Sequence, residues 1–145
     1  MLKQRPNWVA WGIRDAPPKS PYNPTNLLSG RPSPAKAGAP ETWGSYQTAV
    51  ECVDRGLAQG IGYEFDGRGD LYGVDLDHVI SEGCITPQAR DIVGTLASYA
   101  QVNPSGRGLT PFVFEPRADI TGHRTHIGSD EIHRTVWHCP LTCNA

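Results

Sequence analysis

The chain has no apolar run long enough to cross a bilayer, which excludes a membrane-spanning helix, and no membrane partner is expected. Its first residues, Met1-Leu2-Lys3-Gln4-Arg5-Pro6, lack the apolar stretch of a secretory signal, so a cytoplasmic protein is expected. Among its 4 cysteines no Cys-x-x-Cys spacing occurs, and reduced thiols are the expectation. Charge is scarce: 19% of residues are charged and the net is -2, which excludes a disordered polyelectrolyte. There is no internal repeat. Lysine is confined to Lys3, Lys19 and Lys36, a shortage that bears on the chemistry below.

Turn formers are abundant instead. The 16 glycines and 13 prolines imply short elements and many turns, and 145 residues suffice for one core. The charge is uneven. Residues 1–40 carry six Lys/Arg against Asp15 alone, a net of +5; residues 41–91 carry ten acids against three Arg, a net of −7. A basic arm beside an acidic centre that a cation neutralises suits a nucleic acid, although surface charge also clusters by chance.

Trp8 to Ile13 is rich in β-formers and predicts a strand. Seven prolines in residues 14–42 predict loop. Ser45 caps a predicted helix with Tyr46, Ala49, Val50 and Val53 on one face. Ile61, Tyr63 and Phe65 alternate as a strand, and residues 66–70 read as a hairpin loop to a return strand, Leu71 to Asp77. Thr86-Pro87 opens a second helix, and Leu109 to Phe114 forms a further strand. From Glu115 onward no amphipathic period is legible.

Two segments carry chemistry. In Val74-Asp75-Leu76-Asp77 the two carboxylates share one face of the strand. Adjacent carboxylates repel unless a cation sits between them, and hard oxygen ligands suit Mg²⁺ or Mn²⁺. In Ser105-Gly106-Arg107-Gly108 a glycine-rich turn offers backbone amides and a guanidinium to phosphate oxygens. A solvated acidic pair and an ordinary Pro-Ser-Gly turn are the plain alternatives. Together the segments point to metal-assisted phosphoryl or nucleotidyl transfer.

An ordered series then emerges from about Asn7 to Leu109. It comprises Asn7-Trp8-Val9-Ala10-Trp11, Lys19-Ser20-Pro21-Tyr22-Asn23-Pro24, Trp43-Gly44-Ser45-Tyr46 and Gly60-Ile61-Gly62-Tyr63. It continues with Val74-Asp75-Leu76-Asp77-His78, Ser98-Tyr99 and Pro104-Ser105-Gly106-Arg107-Gly108-Leu109. In this series the chain resembles the N-terminal domain of the bifunctional DNA primase-polymerases of phages and plasmids, in the archaeo-eukaryotic primase superfamily. The resemblance implies an α+β fold around a mixed sheet, over residues 1–114. Residues 115–145 would be an atypical, degenerate remainder that leaves the core incomplete at its C-terminal end. It also implies a nucleotidyltransferase that uses nucleoside triphosphates and a DNA template, with a helicase as a separate partner. Asp75 and Asp77 would be metal ligands and catalytic residues, completed by a third carboxylate for which Glu131 is the candidate. Ser105, Gly106, Arg107, Gly108 and Thr110 would form the nucleotide-binding turn.

At Thr110 the family carries a histidine that contacts the nucleotide's phosphates. A hydroxyl offers no imidazolium, so little or no activity is expected. The alternative is a catalytically dead nucleotide- or DNA-binding remnant. A weaker alternative follows from Asp75-Leu76-Asp77-His78-Val79, which also fits the signature of haloacid-dehalogenase-like phosphatases. Those enzymes need a lysine downstream of the acidic pair, and all three lysines lie upstream.

Overall fold

The computed structural model describes residues 2–66, 71–114, 124–127, 130–133 and 135–141, with the backbone alone considered after Phe114. The fold is α+β, as expected. It divides into two compact units, Met1–Asp66 with Trp137–Ala145, and Gly67–Val136. In chain order the first unit begins with β1 (Trp8–Trp11), β2 (Pro21–Tyr22), α1 (Pro24–Leu28), α2 (Tyr46–Asp54) and β3 (Gly60–Asp66). The second holds β4 (Leu71–Asp75), β5 (Ile80–Ser81), β6 (Cys84–Ile85), α3 (Pro87–Leu96), β7 (Ala100–Val102), β8 (Leu109–Phe114), β9 (Arg124–Ile127) and β10 (Asp130–His133). β11 (Thr135–Leu141) joins the sheet of the first unit, in the order β11-β3-β1-β2.

In that first sheet β1 alternates cleanly. Ala10 packs with Leu27, Cys52 and Ala58, while Val9 packs with Ala35 and Trp43. Trp8 meets the Tyr46 and Tyr63 rings edge-on, at centroid distances of 4.8 and 5.3 Å. Ser45 caps α2 as its sequence predicts, its hydroxyl accepting from Thr48 N. The proline-rich stretch is not all loop. Asn23 caps α1 and Pro24 occupies its first turn, where the missing N–H costs nothing.

The second unit holds a five-stranded sheet, β7-β8-β4-β10-β9, and a β5–β6 hairpin. Every pair whose register is described runs antiparallel. Val74, Leu76 and Leu109 form a core with Ala89 of α3, and Ile92, Val93 and Leu96 pack against it. Alternation then sets Asp75 and Thr110 on the sheet face opposite α3. Thr86 caps α3, its hydroxyl accepting from Ala89 N.

The expected β3–β4 hairpin does not form. β3 pairs with β1 and β11, and β4 pairs with β8 and β10, so both edges of each strand are already occupied. The acidic strand is therefore a central strand of its own sheet, a stiffer mount than a hairpin arm. Of the residues read as the hairpin loop, 66–70, Asp66 ends β3 and 67–70 lie outside the described residues. The C-terminal stretch, where no period was legible, supplies β9, β10 and β11. Pro140 falls in β11, which ends its sheet, and an edge strand tolerates the lost N–H.

Candidate functional site

All eight residues singled out in the sequence belong to the second unit. The pairs Leu71↔Phe114 and Gly73↔Phe112 and the bridge Leu76↔Leu109 keep one register between β4 and β8. Asp75 therefore falls opposite Thr110. Leu76 and Leu109 exchange both backbone hydrogen bonds, at 2.9 and 3.0 Å, which makes Asp75 and Thr110 a non-hydrogen-bonded pair. Such pairs bring Cα atoms to about 4.5 Å, the closer of the two spacings. On the other side of β4, Glu131 pairs with Asp75. The row extends outward to Gln101, opposite Thr110, and to His126, opposite Glu131. Five polar residues thus occupy one register line across all five strands.

Asp75 is half-buried and Asp77 is exposed. Strand pairing ends at Leu76, and Asp77 lies in a turn whose next residue, His78, has a left-handed backbone (φ 57°). The two aspartates thus sit at the end of a strand rather than along a continuous one. Among the described residues no three His, Cys, Asp or Glu side chains converge on a point. The side chain of Glu131 lies outside the described residues.

Thr110 is 1% exposed, and its hydroxyl has no hydrogen-bond partner among the described residues. A hydroxyl buried in this way costs about 1–3 kcal/mol. Pro111, next along the central strand β8, has no N–H to donate into the ladder. That interrupts the pairing between Gly73↔Phe112 and Leu76↔Leu109.

Asn103 organises the glycine-rich turn. Its Oδ1 accepts from Gly108 N at 3.1 Å and from the Ser105 hydroxyl at 2.6 Å. Its carbonyl accepts from Gly106 N at 2.9 Å, and Ser105 Oγ accepts from Arg107 N at 3.3 Å. The amides of Gly106, Arg107 and Gly108 are thus engaged inside the turn, which leaves the exposed Arg107 guanidinium as its outward-facing charge. Gly108 admits no side chain: a Cβ there would lie 2.8 Å from the Leu76 carbonyl oxygen.

Sequence reasoning missed the cleft beside this turn. A space of about 570 Å³ separates Ser105, Gly106 and Arg107 from His78 and the β5–β6 hairpin. The hairpin's two-residue loop, Glu82-Gly83, has positive φ at both positions (51° and 76°), the requirement of a type I′ turn. A hydrogen bond from Ile80 N to the Arg107 carbonyl (2.9 Å) joins the two walls. The signal was present as a two-residue loop ending in glycine between Ser81 and Cys84. The cleft gathers Ser105, Gly106 and Arg107. Asp75, Asp77, Gly108 and Thr110 are not among its lining residues.

No protein-family model matches the chain. Over 126 residues it is 30% identical to the DNA primase-polymerase of Nitratiruptor phage NrS-1, a stretch covering 86% of this chain. The chain spans 17% of the length of that relative. The similarity is a primase-polymerase-like relationship extending over most of the chain. No helix among the described residues is long and apolar enough to cross a membrane.

Proposed function

We propose that this chain is a nucleotidyl-transfer domain of the primase-polymerase type, acting on nucleoside triphosphates and a DNA template that a separate helicase opens. The observation that carries the reading is the register line in which Asp75 lies between Thr110 and Glu131. The relationship to a phage DNA primase-polymerase supports it.

Three carboxylates, Asp75, Asp77 and Glu131, have the donor chemistry of a Mg²⁺ or Mn²⁺ site, and the backbone pairing of Glu131 with Asp75 suits a shared ion. Such an ion supplies charge neutralisation for the triphosphate and for the attacking hydroxyl. The chain's own part is to hold and orient. Arg107 forks onto phosphate oxygens through two parallel N–H donors. Ser105, Gly106 and Gly108 act by keeping the turn in shape, because their polar groups are engaged with Asn103 and Arg107. Thr110 contributes from beneath, beside Asp75, rather than from the cleft.

One observation favours a second reading, a binding domain without catalysis. The buried Thr110 hydroxyl stands where the resemblance places an imidazole. Loss of a preorganised donor of that kind is worth about 2.7–4 kcal/mol, or roughly 10²–10³-fold in rate. Primer extension with Mn²⁺ tests both readings, alongside Mn²⁺ titration of the native chain and of Asp75→Asn/Asp77→Asn. The expected result is metal binding that the double variant loses, with weak extension by the native chain. Metal binding that the double variant retains would overturn the site. Robust extension by the native chain would overturn the non-catalytic reading.

A further inference from the structure

The cleft between the glycine-rich turn and the β5–β6 hairpin has a polarity that its phosphate-binding wall does not explain. Its lining includes Arg107 on the glycine-rich turn, Glu82 at the tip of the type I′ turn of the β5–β6 hairpin, and His78. Arg107 and Glu82 are both exposed, and neither enters an ion pair among the described residues. The Ile80–Arg107 hydrogen bond fixes the walls where they meet. Holding Glu82 and His78 at positive φ costs of order 1 kcal/mol each. The available space, about 570 Å³, is in the range of small-molecule sites.

A ligand that satisfies both walls has an anionic end and a hydroxyl-bearing end. Like-charge repulsion keeps phosphates away from Glu82 and directs them to Arg107. The carboxylate accepts hydrogen bonds but donates none, so its partner must be a donor. Vicinal sugar hydroxyls meet that need, one for each carboxylate oxygen. We propose that Glu82 reads the sugar of a nucleotide bound in this cleft, accepting from the 2′-hydroxyl, so that the site prefers ribonucleotides to deoxyribonucleotides. The inference rests on the nucleotide reading of the site given above. Being exposed, the extra hydrogen bond is worth about 3- to 10-fold in affinity.

Calorimetric binding of ATP and dATP with Mg²⁺ tests it on the full chain, using the native protein, Glu82→Ala, Glu82→Gln and Arg107→Ala. Circular dichroism melts establish that each variant is folded. The native chain should bind ATP about 3- to 10-fold more tightly than dATP. Glu82→Ala should remove that preference by weakening ATP alone, and Glu82→Gln, which keeps one acceptor oxygen, should retain part of it. Arg107→Ala should weaken both nucleotides alike. Equal native affinity for the two, or an equal loss of both in Glu82→Ala, would overturn the sugar-reading role while leaving the nucleotide site standing. Unchanged binding of both by Arg107→Ala, or no binding by the native chain, would overturn the nucleotide reading itself.

Discussion

The same substitution, glycine to alanine, should have opposite signs at two positions of the second unit. At Gly108 an added methyl would lie 2.3 Å from Asn103 Nδ2 and 2.8 Å from the Leu76 carbonyl oxygen. Neither neighbour yields freely. Asn103 is tied to Gly108 N and to the Ser105 hydroxyl, and the Leu76 carbonyl accepts from Leu109 N at 3.0 Å. Relief requires strain of about 1–3 kcal/mol and the loss of one or two hydrogen bonds worth about 1 kcal/mol each. Gly108→Ala should therefore cost about 2–5 kcal/mol, a large share of the ~5–15 kcal/mol that stabilises a typical domain. At Gly94, in α3, an added methyl meets nothing within 4 Å. There alanine should add about 0.8–1.0 kcal/mol through its higher helix propensity. Urea unfolding of the two variants measures both signs, and amide exchange at Leu76 and Leu109 locates the damage in the first. A Gly108→Ala protein as stable as the native chain, with Leu109 equally protected, would refute the account of this turn. A destabilised Gly94→Ala protein would refute the environment assigned to α3.

Thr110→Val keeps the shape of the side chain and removes a buried hydroxyl that has no partner among the described residues, so thermal unfolding should shift upward by an amount matching about 1 kcal/mol; a downward shift would show that the hydroxyl has a partner. Cys52 is 0% exposed, its thiol donates to the Pro24 carbonyl at 3.3 Å, and burial, with Glu51 adding to it, pushes its pKa up to about 11. Site-resolved mass spectrometry after alkylation near pH 8 should find the exposed Cys84 modified and Cys52 spared. Because the fold favours the neutral thiol, this contribution is complete below about pH 9 and is lost as pH climbs through 11. The stability gap between the native chain and Cys52→Ala should narrow over that window, and a widening gap would contradict the burial argument.

Local signals were legible where a single segment decides the outcome. Ser45 and Thr86 cap α2 and α3 as their types dictate, and the alternation of β4 separates Val74 and Leu76 from Asp75. Pairing was not legible, because it depends on which edges other strands occupy. Residues 66–70 look like a hairpin loop in isolation, yet β4 is flanked by β8 and β10. α1 was obscured by counting prolines without noting that Pro24 follows a capping Asn23. β9 and β10 are four residues each, too short for a two-residue period to stand out, and in β11 the run Thr135-Val136-Trp137-His138-Cys139-Pro140-Leu141 mixes polar and apolar residues without strict alternation. Glu131 was reached by resemblance, and its pairing with Asp75 is a property of the sheet that no spacing rule reveals.

Leu76 shows how the two candidate halves of the site are joined. Its side chain is 0% exposed and belongs to the core beneath α3. Its backbone exchanges two hydrogen bonds with Leu109, and its carbonyl is the atom that forbids a side chain at Gly108. The turn that presents Arg107 is thus fastened to the strand that presents Asp75 by one residue whose position the hydrophobic core sets. The next residues, Asp77 and His78, leave the strand at once, so the carboxylate and the cleft diverge from a common anchor. Core packing at Leu76 therefore sets how far the strand that carries Asp75 lies from the turn that carries Arg107.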